Sequence, residues 1–250
     1  MAEPMNSELS RCDIETKTLA LVEVLLLDQS MGEVARHFQG YVEDIGFAGA
    51  ACIKVPEVGD EPADCVLMST LPEAWLRRYV DANYLKRDPL LKELMRTYEP
   101  FSWSELLMRR VIEKPDREVF EEAARHGMTD GFVVPIYESG GYTGFVGMAG
   151  RPVHIARDTR SPVVAACVYL HSKLCLLRRR QNDQVFDLTS RELDCLRWAA
   201  VGKSDWEIGQ ILLISAKTVN YHIENAKRKF GVATRVQAIV AAMRSGKLID

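Results

Sequence analysis

Apolar residues recur every three to four positions near the start of the chain. This spacing predicts amphipathic helices over 14–30 and 33–45, striped by Leu19, Val22, Leu25 and Leu26 and by Val34, Phe38, Val42 and Ile45. After Gly46 the spacing changes. FAGAACIKV reads as an apolar strand closed by Pro56, EVGDEP as a turn or loop, and CVLMST as a second strand. Pro72 and Glu73 open a helix through Tyr84. Shorter helices follow over 89–98 and 115–126, the latter apolar through Phe120, Ala123 and Ala124. GFVVPIYE and TGFVGMAG form a hairpin, with SGGY supplying the glycines of its turn. A long helix from about Ser161 to Arg178 is apolar through Val164, Cys167, Val168, Leu170 and Leu174, and the polar run RRRQNDQ after it reads as a linker.

From Leu188 onward every element is helical, and most of the starts and stops are written in local chemistry. Thr189 with Glu192, and Ser204 with Glu207, have the spacing of capping boxes, in which the cap and the third helical residue satisfy each other's free N–H groups. Gly202 stops the first of these helices. The second carries Trp206, Ile208, Ile211 and Leu212 as its apolar residues, and Ser215 caps a third whose first half is polar. After Gly231, Thr234 caps a fourth helix bearing Val236, Ile239, Val240 and Met243. Two short helices joined by a tight turn, the second opening on polar residues, form a helix-turn-helix. In such units the second helix enters the major groove.

The expected fold class is therefore α+β. An N-terminal α-β-α sandwich built on a mainly antiparallel sheet precedes an all-α four-helix domain. Charge supports the division. The chain carries −3 overall, but 184–250 has ten Lys or Arg against seven Asp or Glu, a net +3, leaving −6 on the rest. Positive charge sits where phosphates would be met. Apolar content of 47% and charged content of 27% suit a globular protein. The six cysteines lack metal-ligand or CxxC spacing, so reduced thiols in the cytoplasm are expected. No apolar run reaches membrane-spanning length, and the polar N-terminus does not resemble a signal peptide.

Further motifs carry a resemblance. LTSRE, AVGKSDWEIG, ILLISAKTVNYHI and KFGVATRVQA resemble the DNA-binding domain of LuxR-type transcription factors over about sixty residues. Trp75, Tyr79, Asp88-Pro89, Trp103 and Gly131 resemble the acyl-homoserine-lactone-binding domain of the same regulators across most of 15–178. By themselves, Trp75, Tyr79 and Trp103 also suit a plain core, and Asp88 suits a helix cap with Pro89 behind it. The resemblance implies an autoinducer domain over 1–178, a linker over 179–186 and the helix-turn-helix domain over 187–250. It implies further that the Trp75 indole N–H donates to the lactone carbonyl and that Asp88 accepts the ligand amide N–H, with Tyr79 and Trp103 packed around the ligand.

Two positions depart from the family pattern. Leu71 stands where many members carry a Tyr that reaches the acyl carbonyl, and Gly147 where a Ser or Thr is common. The expected ligand lacks a 3-oxo group and has a branched or aromatic acyl part using the space at Gly147 and meeting Phe145, Val133 and Leu71. A straight-chain lactone whose carbonyl finds another donor or a water stays open. On the DNA side the candidates are Lys217, Thr218, Asn220, Tyr221 and Glu224 for the groove, with Lys203 and Lys227 on phosphates. Asn220 suits adenine and Glu224 suits cytosine, though Glu224 also reads as a solvated helix charge.

The expected partners are double-stranded DNA, an acyl-homoserine lactone and a second copy of the chain, with no cofactor, metal or membrane. An enzyme is disfavoured: there is no GxSxG, and His37, His126, His154, His171 and His222 are scattered. A phosphoacceptor receiver would open on a βα pattern, whereas this chain opens on two helices. A ligand-independent LuxR-type regulator, controlled by another small molecule or by a protein partner, remains the alternative.

Overall fold

Serine caps set the first two helices. Ser10 closes a capping box with Asp13 to begin α1 (Arg11–Leu27), and Ser30 does the same with Glu33 to begin α2 (Met31–Asp44). The computed structural model describes residues 10–56, 62–138, 141–183, 188–245 and 247–248. They fall into two units, Met1–Leu177 and Arg178–Asp250.

In the first unit, strands β1 (Gly49–Lys54), β2 (Val66–Ser69), β3 (Phe101–Ser102), β4 (Asp130–Glu138) and β5 (Gly141–Gly150) form one sheet in the order β2-β1-β5-β4-β3. Every pairing is antiparallel. Side chains alternate across a strand, so β4 sends Phe132, Val134 and Ile136 to one face and Val133 to the other. On the first face these residues, with Val146 and Met148 of β5, meet α1, α2 and α7 (Arg160–Asp183) in a core containing Phe38, Leu25, Leu170 and Leu174. The opposite face carries α3 (Glu73–Asp81), α4 (Pro89–Leu94), α5 (Trp103–Arg109) and α6 (Lys114–Arg125) around a second, aromatic-rich core. This is the expected α-β-α sandwich.

Among the described residues, the regular elements of the second unit are all helices: α8 (Ser190–Ala200), α9 (Asp205–Leu212), α10 (Ala216–Phe230) and α11 (Arg235–Arg244). The capping boxes at Thr189 and Ser204 are both formed, and Gly202 and Gly231 take the positive φ of +88° and +65° that glycine tolerates. Among the described residues no helix is long and apolar enough to cross a membrane.

Several expectations need correction. The helix ending the first unit continues to Asp183, through residues assigned to the linker, because that polar run contains no glycine or proline to stop it; residues 184–187 lie outside the described ones. The EVGDEP turn falls largely on 57–61, and the centre of the SGGY turn on 139–140, which are also outside. In α1 the buried residues are Ile14, Thr18, Leu21 and Leu25, while Leu19 and Leu26 face out. From Leu19 to Leu27 that helix is apolar at every position but Glu23, so packing rather than periodicity selects its inner face there. In α6 and α7 likewise, Ala124 and Val168 are exposed, while Val119 and Val163 are buried.

The helix expected to run through Tyr84 stops at Asp81. Asn83 adopts φ +53°, and a short 3-10 turn follows over Tyr84–Lys86. The helix expected over 89–98 ends at Leu94. Trp206 is 66% exposed rather than part of the core of α9. That helix instead turns Ile208 and Gly209 inward, since a Cβ on Gly209 would lie 2.7 Å from the Ile214 carbonyl oxygen across the tight turn. Val236, Val240 and Met243 of α11 are also exposed, and its buried residues are Ala238 and Ala242.

Candidate functional site

The aromatic core of the first unit gathers the residues that sequence reasoning had placed together. Trp75 and Tyr79, one turn apart on α3, meet edge to face at 5.5 Å between ring centroids. Tyr84, brought inward by the break at Asn83, packs against both, at 6.0 Å from Trp75 and 5.9 Å from Tyr79. Trp103 opens α5 beside Phe120. Its indole lies over Gly131, where a Cβ would come within 2.6 Å of ring atoms, so only glycine fits there. In the sheet, Val133 stands between Phe101 and Gly147 in register. Leu71 and Phe145 pack against the same cluster. By contrast, a Cβ on Gly147 would meet only the Phe145 ring, at 3.8 Å, so packing does not demand glycine at that position.

Among the described residues, Asp88 is one of three buried carboxylates on the helices of this face, with Glu93 and Glu122, and is 6% exposed. One carboxylate oxygen accepts the Leu90 N–H at 2.8 Å, capping α4 ahead of Pro89, and the other accepts the Tyr79 hydroxyl at 2.7 Å. Burial raises the Asp88 carboxyl above its ordinary value, opposed by those two hydrogen bonds. Burial, with the neighbouring carboxylate, likewise pushes the Tyr79 phenol up, so the phenol stays a donor. An ionised carboxylate has about four lone-pair sites. Two hydrogen bonds leave Asp88 able to accept more.

In the second unit α10 buries Val219, Ile223 and Ala226 and exposes Lys217, Asn220, Tyr221, Glu224 and Arg228. The exposed set is a single stripe about 16 Å long at helical rise. Ser215 caps the helix through the Thr218 N–H, and its hydroxyl is hydrogen-bonded to that of Thr218. Lys203 pairs with Glu207 at 3.0 Å and Lys227 with Glu224 at 2.8 Å. Such exposed pairs are weak enough for a phosphate to displace. Tyr221, Asn225, Arg228, Lys229 and Glu192 line an open groove of about 460 Å³ along the helix.

Comparison with known proteins accounts for both units. Residues 30–174 match the family described as autoinducer binding domain, and 187–242 match that described as bacterial regulatory proteins, luxR family. The chain belongs to the LuxR family of transcriptional regulators. Its relatives include the quorum sensing-dependent transcriptional regulator RpaR of Rhodopseudomonas palustris, 30% identical over 209 residues that cover 84% of this chain and 86% of that protein. The transcriptional activator protein BjaR1 of Bradyrhizobium diazoefficiens is 29% identical over 239 residues, covering 94% and 98%. The fold matches the crystal structure of SdiA from Escherichia coli with a TM-score of 0.70 at 22% identity, over 94% of this chain and 99% of that one.

For a LuxR-type regulator the unforeseen residues are as informative as the foreseen ones. Tyr84 escaped notice because a continuous helix would have pointed it elsewhere. His126, at the end of α6, packs its ring 6.0 Å from Trp75, a contact that no local pattern signals. Asn225 could have been found, since it lies one turn beyond Tyr221 and three residues before Arg228. The start of α5 was also legible: Ser102 and Glu105 form a capping box, and Trp103 is its first residue.

Proposed function

We propose that this regulator encloses an acyl-homoserine lactone on the aromatic face of its sheet, and that occupancy there governs how a cytoplasmic homodimer engages a pseudo-palindromic site in double-stranded DNA. The observation that carries the reading is the buried Asp88 carboxylate, with acceptor capacity to spare beside Trp75 and Tyr79. Asp88 accepts the ligand amide N–H, the Trp75 indole donates to the lactone carbonyl, and Tyr79 and Trp103 enclose the head group. Each pairing matches a donor-only or acceptor-only group to its complement.

The acyl part lies against Leu71, Val133, Phe145 and Gly147. The tolerance for a side-chain atom at Gly147, in ordinary contact with the Phe145 ring, and the lack of a polar group at Leu71 favour a branched or aromatic acyl group without a 3-oxo oxygen. Titration calorimetry with a panel of acyl lactones tests this. Tighter binding of branched or aromatic acyl groups is expected, and a clear preference for long 3-oxo chains overturns it.

On DNA, α10 enters the major groove with Lys217, Thr218, Asn220, Tyr221 and Glu224 facing the bases and nearby backbone, while Lys203 and Lys227 hold phosphates. Ligand enclosed in the first unit stabilises the folded state by mass action and biases dimer geometry. Sedimentation with and without ligand reads the dimer directly.

A further inference from the structure

Tyr84 is fully buried, and among the described residues its hydroxyl has no hydrogen-bond partner. A desolvated phenol O–H left unpaired carries its whole desolvation penalty, and native proteins rarely leave such groups unsatisfied. Nor is this ring loosely held. The Arg87 guanidinium lies 4.9 Å from its centroid and that of Arg78 5.8 Å. Arg87 is fixed by Glu118 at 3.1 Å and by the Pro115 carbonyl at 3.2 Å, and Arg78 by Glu122 at 3.5 Å. Two carboxylates one turn apart on α6 therefore pin two cations on one ring, whose neighbours are Trp75 and Tyr79.

We propose that the Tyr84 hydroxyl is a ligand-binding group that donates to the amide carbonyl oxygen of the bound acyl lactone. This rests on the reading of the aromatic face as the lactone site. In that reading Trp75 takes the lactone carbonyl and Asp88 the amide N–H, which leaves the amide carbonyl as the acceptor in need of a donor. Tyr79 has spent its proton on Asp88. Leu71, Val133, Phe145 and Gly147 carry no side-chain donor. Tyr84 supplies one from a ring already ordered by its guanidinium clamp, so little rotamer freedom is lost when the ligand arrives.

The test uses the full-length protein, an acyl-homoserine lactone that the wild type binds, and the Tyr84→Phe variant. Removing an unpaired hydroxyl should leave the ligand-free melting temperature unchanged or raised. Affinity should fall roughly three- to tenfold, the range for one neutral hydrogen bond. With the ligand labelled by carbon-13 at the amide carbonyl, the infrared carbonyl band of the complex should rise in frequency in the variant. The band of a lactone-labelled ligand should not move. Replacing Tyr84 with 3-fluorotyrosine, a stronger donor of nearly the same shape, should tighten binding and lower the amide band.

Equal affinity and an unshifted amide band in Tyr84→Phe would overturn the proposal, and would mean that the hydroxyl meets a buried water. If Tyr84→Phe fails to fold, an amide band unmoved by 3-fluorotyrosine overturns it equally. A wild-type protein that binds no acyl lactone at all removes the underlying site reading, and this proposal with it.

Discussion

Replacing Asp88 with asparagine separates ligand binding from helix capping, because the structure gives the carboxylate both a cap and a free acceptor edge. Asparagine caps helices about as well as aspartate, so its carbonyl oxygen can keep the Leu90 N–H. The amide nitrogen then faces the Tyr79 hydroxyl and the ligand amide N–H, setting donor against donor where a charged acceptor stood. Hydrogen bonds to charged groups contribute about 1.5–3 kcal/mol, so lactone affinity should fall roughly 10- to 150-fold. Ligand-free stability should change little, since the substitution also removes a buried charge.

The direction of the Asp88 shift adds a pH signature. Its folded carboxyl binds a proton more tightly than the unfolded one, whose ordinary value is 3.8. Its contribution to stability is therefore fullest below that value and declines as pH rises through the shifted one. Ligand affinity runs the other way, because the ionised form accepts the amide N–H more strongly than the protonated one. On acidification it should begin to fall at a higher pH than an ordinary aspartate would give, and the Asp88→Asn variant should lose this dependence. Titration calorimetry across pH, paired with thermal melts, measures both quantities. Unchanged lactone affinity in Asp88→Asn, at any pH, would mean that Asp88 is a cap alone and would refute the reasoning.

Four other substitutions test the packing of the two units and the exposed stripe of α10. Gly131→Ala should destabilise the first unit by about 1–3 kcal/mol through overpacking against Trp103 and the Met148 carbonyl, whereas Gly147→Ala should cost less than about 1 kcal/mol and alter only which acyl chains bind; chemical denaturation of the pair decides. Gly209→Ala places a methyl 2.7 Å from the Ile214 oxygen in the helix-turn-helix turn, and gel-shift affinity should drop along with the stability of the second unit. Asn220→Ala should weaken operator binding at a single base position by about 1–3 kcal/mol if that side chain reads a base. In an operator scan, uniform loss across sequences would assign Asn220 to the backbone.

The helix boundaries of the DNA-binding half were legible because they are set by neighbours in sequence, although the inward faces of α9 and α11 were not. Thr189 with Glu192, Ser204 with Glu207, Ser215, and Gly202 and Gly231 act through bonds spanning three or four residues. The autoinducer-binding half was legible only in outline. Trp75, Tyr79 and Asp88 could be singled out, yet the sequence left open whether Asp88 caps a helix or holds a second partner, and it does cap while also accepting from Tyr79.

What the amino-acid sequence determined by itself was local: the caps, the strand alternation, the charge asymmetry and the motifs that mark a LuxR-type regulator. Tertiary structure alone decided which face of α1 turns inward, that Trp206 stays outside, and that a break at Asn83 delivers Tyr84 to Trp75. The physical reason is range. Capping and periodicity act within one or two turns of chain, whereas the inner face of a helix whose second half is nearly all apolar, the space beside a glycine and the partners of a buried hydroxyl depend on segments brought together only by folding.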